Sequence, residues 1–488
     1  MSKLKPSLRP HAPARSYSVV PVVADFEGRA AVEGSTESIR NETPAQSASS
    51  IDRIALRLTM LFLFFRISYL HEFITSKIHV DLHLFMVLGA LSVLAALITG
   101  RILSAFHDRI GTLWLCFAGC LCLATLTSTW RGGSIPLLSE YLRTVVPLLI
   151  LIPAVVNTRK DLITTLKTMG WAGVATVALG FTNKQVVDGR MTLVGASSIG
   201  DSNDYAAQVM FVFPILVYLL FVSGRNIFLR VLGLLVILAG LYQLLSTGSR
   251  GALVSAGLTL MVIVIMSKPT VKVAIVFGVP IFLLLAVPFI PGKAAQRFQS
   301  LFSDGVDKTD ATASSNARRR LLNQSIALTI SHPLFGVGPG QFMTSEGQLA
   351  KAEGQRGMWH QTHNTFTQVS SECGIPAFLF FTSALGLTFV RLLRARKNSD
   401  PVLSGISQVV STSMFGFGVC VIFLSHAYDF PFLISSALSI SIERLLLKGD
   451  VSSRTSRDML EGPILSNKLR LPKAQRPAVA HVSSKQFC

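Results

Sequence analysis

Leu245-Ser246-Thr247-Gly248-Ser249-Arg250-Gly251-Ala252-Leu253 sets one guanidinium between two apolar runs, each close to the length that crosses a bilayer. A charge there is costly unless it has work to do, because hydrocarbon offers it neither water nor a counter-ion. The neighbouring runs therefore decide the fold class and Arg250 opens the question of function. A second clue lies further along, where His363-Asn364 stands at the mouth of another apolar run after a long polar stretch.

Composition agrees with the membrane reading. Half of the 488 residues are hydrophobic and 15% are charged, and a mean hydropathy of +0.52 excludes an ordinary soluble domain. A transmembrane helix needs about 20 mostly apolar residues. On that criterion spans are expected at 54–70, 82–100, 112–126, 142–156, 166–181, 205–222, 227–245, 252–266, 271–290, 365–390, 402–424 and 430–447. The expected fold is an all-α polytopic membrane protein of about 12 transmembrane helices with one large loop containing short helices. Its parts are an N-terminal tail (1–50), nine spans (51–290), the loop (291–362), three spans (363–448) and a C-terminal tail (449–488).

Short cytoplasmic loops carry an excess of Lys and Arg. With the N-terminus inside, the inner loops hold Arg101, Arg109, Arg159, Lys160, Lys167, Arg225, Arg230, Lys268, Lys272, Arg391, Arg394, Arg396 and Lys397, against Lys77, Arg131, Lys184, Arg190 and Arg250 outside. Both termini are thereby expected in the cytoplasm, with Arg190, Arg250 and the loop 291–362 sharing the opposite face. The net charge of +19 is spread over inner loops and tails, which suits anionic inner-leaflet lipids rather than nucleic acid. The tails are polar and expected to be disordered. The first apolar run follows about fifty polar residues and is a full span, so it is expected to be a retained anchor rather than a cleaved signal.

The six cysteines offer no framework. Cys116, Cys120 and Cys122 share one expected span, Cys373 and Cys420 lie in others, and Cys488 is terminal. Cysteine in an apolar helix behaves as a small hydrophobe, and a metal site would need His or carboxylate partners that this helix lacks. No metal and no cofactor is expected.

Within the loop, 303–315 reads as a polar linker. From 316 to 330, Leu322, Ile326 and Ile330 recur at helical spacing behind the basic start Arg318-Arg319-Arg320. His332-Pro333-Leu334-Phe335-Gly336-Val337-Gly338-Pro339-Gly340-Gln341-Phe342 stops that helix, because Pro and alternate Gly forbid a regular element. Its glycines are not a nucleotide loop, since no strand precedes them.

Four ordered motifs carry a resemblance. Ser246-Thr247-Gly248-Ser249-Arg250-Gly251-Ala252, the segment His332 to Phe342, and His363-Asn364-Thr365-Phe366 followed by Ser371-Glu372-Cys373-Gly374-Ile375-Pro376, together with Gly189-Arg190 and Asp201-Ser202-Asn203-Asp204-Tyr205-Ala206, resemble the O-antigen ligase and polymerase family of bacterial envelopes over roughly residues 142–447. The resemblance implies a GT-C-like membrane glycosyltransferase of the inner membrane, with its site at the periplasmic face. It would move an undecaprenyl-pyrophosphate-linked glycan en bloc, without a metal and with inversion, to a hydroxyl of a lipid A-core or glycan acceptor.

That chemistry suits the residue types. A departing pyrophosphate develops negative charge, and guanidinium forks stay charged and bind phosphate oxygens bidentately; Arg190 and Arg250 are the candidates, with Arg319 or Arg320 as a further grip. The incoming hydroxyl gains from a base, and His363 has the unperturbed pKa for it. Asn364 would orient the ring or a sugar, and Glu372 would hold the imidazole if its helix bends.

Blander readings stand beside these. Arg250 caps a helix end and snorkels to headgroups; His363 bonds the first helical turn; Arg318 to Arg320 form a solvated basic face; His332 shapes a turn; His360 has no assigned partner. Trp130, Tyr141 and Trp359 fit the interfacial aromatic belt, and Trp359 also suits stacking on a sugar. A polysaccharide flippase or transporter would share the spans and basic loops but not the large loop ending at His363. A non-catalytic part of an export machine would tolerate loss of Arg250 and His363.

Overall fold

The computed structural model describes residues 49–81, 83–222, 227–267, 269–299, 308–352, 354 and 356–461. It is helical apart from one hairpin. In chain order come α1 (Ser50–Ser68), α2 (Leu70–Ile78), α3 (Leu84–Ile98), α4 (Arg109–Leu126), α5 (Arg131–Val155), α6 (Arg159–Thr182), β1 (Lys184–Val187), β2 (Arg190–Leu193), α7 (Ser202–Val222), α8 (Ile227–Ser246), α9 (Arg250–Met266) and α10 (Pro269–Ala286). Then follow α11 (Gly292–Gln299), α12 (Lys308–Ser331), α13 (Phe342–Ala352), α14 (Thr365–Ala395), α15 (Pro401–Cys420) and α16 (Phe430–Glu461). The tails 1–48 and 462–488, expected to be disordered, lie outside the described residues; residues 449–461 belong to α16.

Among the described residues, 8 helices are long and apolar enough to cross a membrane, or up to 9 when the bent pair α1 and α2 counts as one span. Eight or nine of the expected twelve spans thus reach full crossing length among the described residues. The runs at 82–100, 252–266 and 271–290 fold as the shorter apolar helices Leu84–Ile98, Arg250–Met266 and Ile275–Phe289. Window hydropathy counts apolar residues without seeing where a cap or a proline ends the helix. The fold is all-α as expected, with one local addition, the antiparallel pair β1–β2 with Lys184 opposite Leu193 and Val187 opposite Arg190. Its turn is Asp188-Gly189, both at positive φ (52° and 67°), the dipeptide that a tight type I′ hairpin demands.

Helix ends follow the sequence. Thr158 and Asp161 form a capping box on α6, Asp400 caps α15 ahead of Pro401, and Ser249 caps α9 by accepting from the Ala252 amide; each supplies an acceptor to an orphan first-turn N–H. In α14 the regular run breaks at Gly374 (φ 84°), two residues before Pro376, and this break receives the loop strap described below.

Packing is carried by aromatic side chains. Trp114 of α4 meets Phe381 of α14 edge-on at 5.6 Å, Phe381 meets Phe432 at 6.0 Å, Phe432 meets Phe417 of α15 at 5.2 Å, and Phe417 meets Phe211 of α7 at 6.0 Å. These edge-to-face contacts add to the area they bury. Arg66 of α1 is buried, with its guanidinium 4.9 Å from the Phe430 ring and 5.7 Å from those of Tyr69 and Phe85; ring faces replace water around that charge.

The loop segment builds its own small core from Leu321, Leu328, Val337 and Phe342, with Met358 packed against it. Helix α12 begins at Lys308, so the expected linker is helical from that point. The Gly-rich segment is irregular as expected. It forms a strap pinned to the break in α14: the Val337 amide donates to Ser371 O (2.9 Å), the Gly338 amide to Glu372 O (2.9 Å) and the Ile375 amide to Pro333 O (2.7 Å). Gly336 sits at φ 64°, and a Cβ there would lie 2.3 Å from the Glu372 carbonyl carbon, so glycine is required by both conformation and space.

Candidate functional site

The site forms where the β1–β2 hairpin, the start of α7, the α8–α9 turn, α11, α12 and the loop before α14 converge. Arg190 opens β2. Its Nε donates to Thr247 O at 2.8 Å and its Nη2 donates to Asn203 Oδ1 at 2.9 Å, which fixes the plane of the guanidinium. The α8–α9 turn is held close: Gly248 is at φ 61°, and a Cβ there would come within 3.1 Å of Ala294 in α11 and 3.7 Å of Arg190 Cγ. Arg250 follows as the first residue of α9.

Four cations gather around this turn. Burial pushes the Arg190 guanidinium down to about 10, and Arg297, Arg318 and Arg250 push the same way against Asp201. Burial likewise lowers Arg318, with Arg250 and Arg297 adding to it. A small cleft beside the turn is lined by Arg318 with Asn203, Ser249, Gly251, Ala252, Cys420, Phe423 and Leu424. Guanidiniums held this close repel one another and are poorly hydrated, so an anion entering the cleft relieves both costs.

His363 stands beside the cluster at φ 50°, with its backbone N–H donating to Ser425 Oγ at 3.0 Å. Burial pushes its imidazole below the ordinary 6.5, helped by Arg318 and His360 and opposed by Asp204 and Asp201. The neutral ring is therefore the resting form, ready to take a proton. The His360 ring is 6.3 Å away.

The other expected site residues fall differently. Asn364 is the N-cap of α14, its Oδ1 accepting from the Phe366 and Thr367 amides at 2.9 and 3.1 Å. The α14 helix does bend, but Glu372 turns its carboxylate to the strap: it accepts from the Gly340 amide (2.9 Å), the Phe342 amide (3.4 Å) and the Tyr428 hydroxyl (2.7 Å). Arg319 is exposed and Arg320 has its Nη2 buried; Arg318 is the member of the run that reaches the cleft.

The sequence reading passed over His426. It lies in the loop 424–429 between α15 and α16, with Nε2 3.1 Å from Asp204 Oδ1 and Nδ1 bonded to Asp429 Oδ2. Burial alone would lower it, but Asp429 and Asp204 push it up to about 10, an imidazolium at neutral pH. The signal was the polar run Ser425-His426-Ala427-Tyr428-Asp429 between two apolar stretches.

Residues 235–382 match the family model described as O-antigen ligase. That region takes in Arg250, the loop and His363. No curated protein matches the chain.

Proposed function

With an O-antigen ligase domain in a multi-pass membrane protein as premise, we propose that this chain transfers a polyprenyl-pyrophosphate-linked glycan to an acceptor hydroxyl at the periplasmic face of a bacterial inner membrane. The observation that carries the reading is the clustering of Arg190, Arg250 and Arg318 within electrostatic reach of one another, with Arg318 lining a cleft and acting on a neutral His363. Arg318 takes the place first given to Arg319 or Arg320.

The chemistry follows from the arrangement. His363 accepts the proton of the acceptor hydroxyl as its oxygen bonds to the anomeric carbon. The bond from that carbon to the pyrophosphate oxygen breaks, and the polyprenyl pyrophosphate leaves with the electron pair. Its growing charge meets the guanidiniums already in place, which lowers the barrier because no reorganisation is needed at that moment. Asn364 supports His363 by starting α14, and Glu372 supports the cleft by fixing the strap.

The test is transfer in proteoliposomes supplied with a lipid-linked glycan and an acceptor. Wild type is expected to give product and His363→Ala none, at equal protein level. Product from both would remove His363 from the mechanism. In cells lacking the protein, full-length glycan left on its carrier marks a ligase, single repeat units passed on without growth mark a polymerase, and carrier-linked units trapped on the cytoplasmic face mark a flippase and retire the proposal.

A further inference from the structure

The loop 424–429 contacts both the start of α14 and Asp204 of α7, and only Leu424 of it lines the cleft. Ser425 Oγ accepts the His363 N–H at 3.0 Å. Thr365, two residues on, donates its hydroxyl to Leu424 O at 2.8 Å and accepts the His426 N–H at 2.9 Å. The Ala427 amide donates to Gln368 Oε1 at 3.1 Å and Tyr428 donates to Glu372. The loop is thus welded to the base-bearing side through backbone and hydroxyl contacts. Its polar link to the arginine side is different in kind and runs through the His426 ring.

Both ring nitrogens of His426 face carboxylates, Asp204 at 3.1 Å and Asp429. A carboxylate only accepts, so each nitrogen donates and the ring has no lone pair left to act as a base. Asp204 adjoins Asn203, and Asn203 Oδ1 holds Arg190 Nη2 at 2.9 Å. Arg190 in turn reaches Thr247 O beside Arg250. A path therefore runs from the His363 loop through the His426–Asp204 contact and the adjoining residue Asn203 to the Arg190 fork.

We propose that His426 is a positioning residue for transfer: its clamp on Asp204 and Asp429 sets the Asn203–Arg190 arm at a fixed distance from His363. The inference rests on the transferase reading for its consequence, though not for the geometry. It requires that His426 act through Arg190 and not on the acceptor. Replacing the ring by an amide, which cannot donate to two carboxylates on opposite sides and carries no charge, frees Asp204 and lets the arm drift. A drift of about an ångström at a pyrophosphate grip costs on the order of a hundredfold in turnover of that substrate.

The experiment is a double-mutant cycle on the full-length protein in proteoliposomes, using wild type, His426→Gln, Arg190→Ala and the double variant. His426→Gln is expected to raise the donor KM and lower donor kcat/KM by about ten- to a hundredfold, leaving the acceptor KM unchanged. In the Arg190→Ala background the same change should cost less than about threefold, because residues acting through one contact are not additive. Wild-type donor kinetics in His426→Gln, or losses that multiply, would overturn the proposal. If His426→Gln does not purify as a monodisperse protein, Asp204→Ala, which removes the Nε2 acceptor and leaves Asp429 in place, is read in the same cycle with the same expectation. Calorimetric binding of inorganic pyrophosphate reads the coupling without turnover. An inactive wild type would therefore retire the transferase reading while the coupling still decides the role of His426.

Discussion

Arg190 Nε donates to the Thr247 carbonyl at 2.8 Å, so the hairpin and the turn that carries Arg250 are one unit. Residues far apart in the chain are thereby held together, the two guanidiniums proposed as one anion grip, and the Asn203 contact fixes the first of them in plane. The consequences of that coupling are measurable.

Arg250→Ala should leave insertion intact and reduce transfer by about a hundredfold or more, the scale of losing one preorganised charge contact. Arg250→Lys should recover little of it, since an ammonium cannot reproduce the fork. Steady-state transfer rates at matched membrane levels check this, and full rescue by lysine would remove the bidentate argument.

Because Arg318 lines the cleft while Arg319 is exposed, Arg318→Ala should weaken inhibition by inorganic pyrophosphate at least about tenfold, the scale of one charge-assisted contact. Arg319→Ala should leave it within about twofold, as expected of a solvated surface charge. Equal effects would mean that the run acts as a diffuse basic surface.

The rate should depend on pH through His363. Its folded value lies below 6.5, and the base works only when neutral, so the midpoint of the acid limb of kcat/KM should lie below 6.5. A pH profile of wild-type donor kcat/KM reads this. An acid limb at or above 6.5 would show that the imidazole is not depressed.

Stability has a second pH dependence, from His426. Its folded value is raised to about 10, above the ordinary 6.5, so its contribution is complete below 6.5 and fades as pH climbs towards 10. Thermal midpoints should therefore fall between neutral and alkaline pH in wild type, and fall less in His426→Gln. Parallel curves would sink the assignment of a buried imidazolium.

Glu372→Ala removes the acceptor shared by Gly340, Phe342 and Tyr428, and should cost roughly 3 kcal/mol by stranding buried donors. The strap should then be cut faster in limited proteolysis. Gly336→Ala should do the same, because its φ of 64° and the 2.3 Å approach to Glu372 admit no side chain. Unchanged protection in both would mean that the strap is held from elsewhere.

Composition and apolar runs determined that the chain is a polytopic helical membrane protein, and the ordered motifs determined the family resemblance, because burial in hydrocarbon and local turn chemistry are written in residue type and spacing. Helix count was less legible: a hydropathy window does not register that Ser249 caps one helix immediately before Arg250, or that α1 and α2 meet at a sharp bend. The hairpin was signalled by Asp188-Gly189 and the hub by a polar run around His426, yet neither has meaning until its partners are known. Which arginine of Arg318, Arg319 and Arg320 faces the cleft depends on the rotation of α12 against α14. Whether Glu372 serves His363 or the strap depends on where a broken helix aims one side chain. Those choices belong to the tertiary structure, since they are set by contacts between segments distant in the chain, such as Glu372 with Gly340 and Asp204 with His426, and one-dimensional spacing carries no information about them.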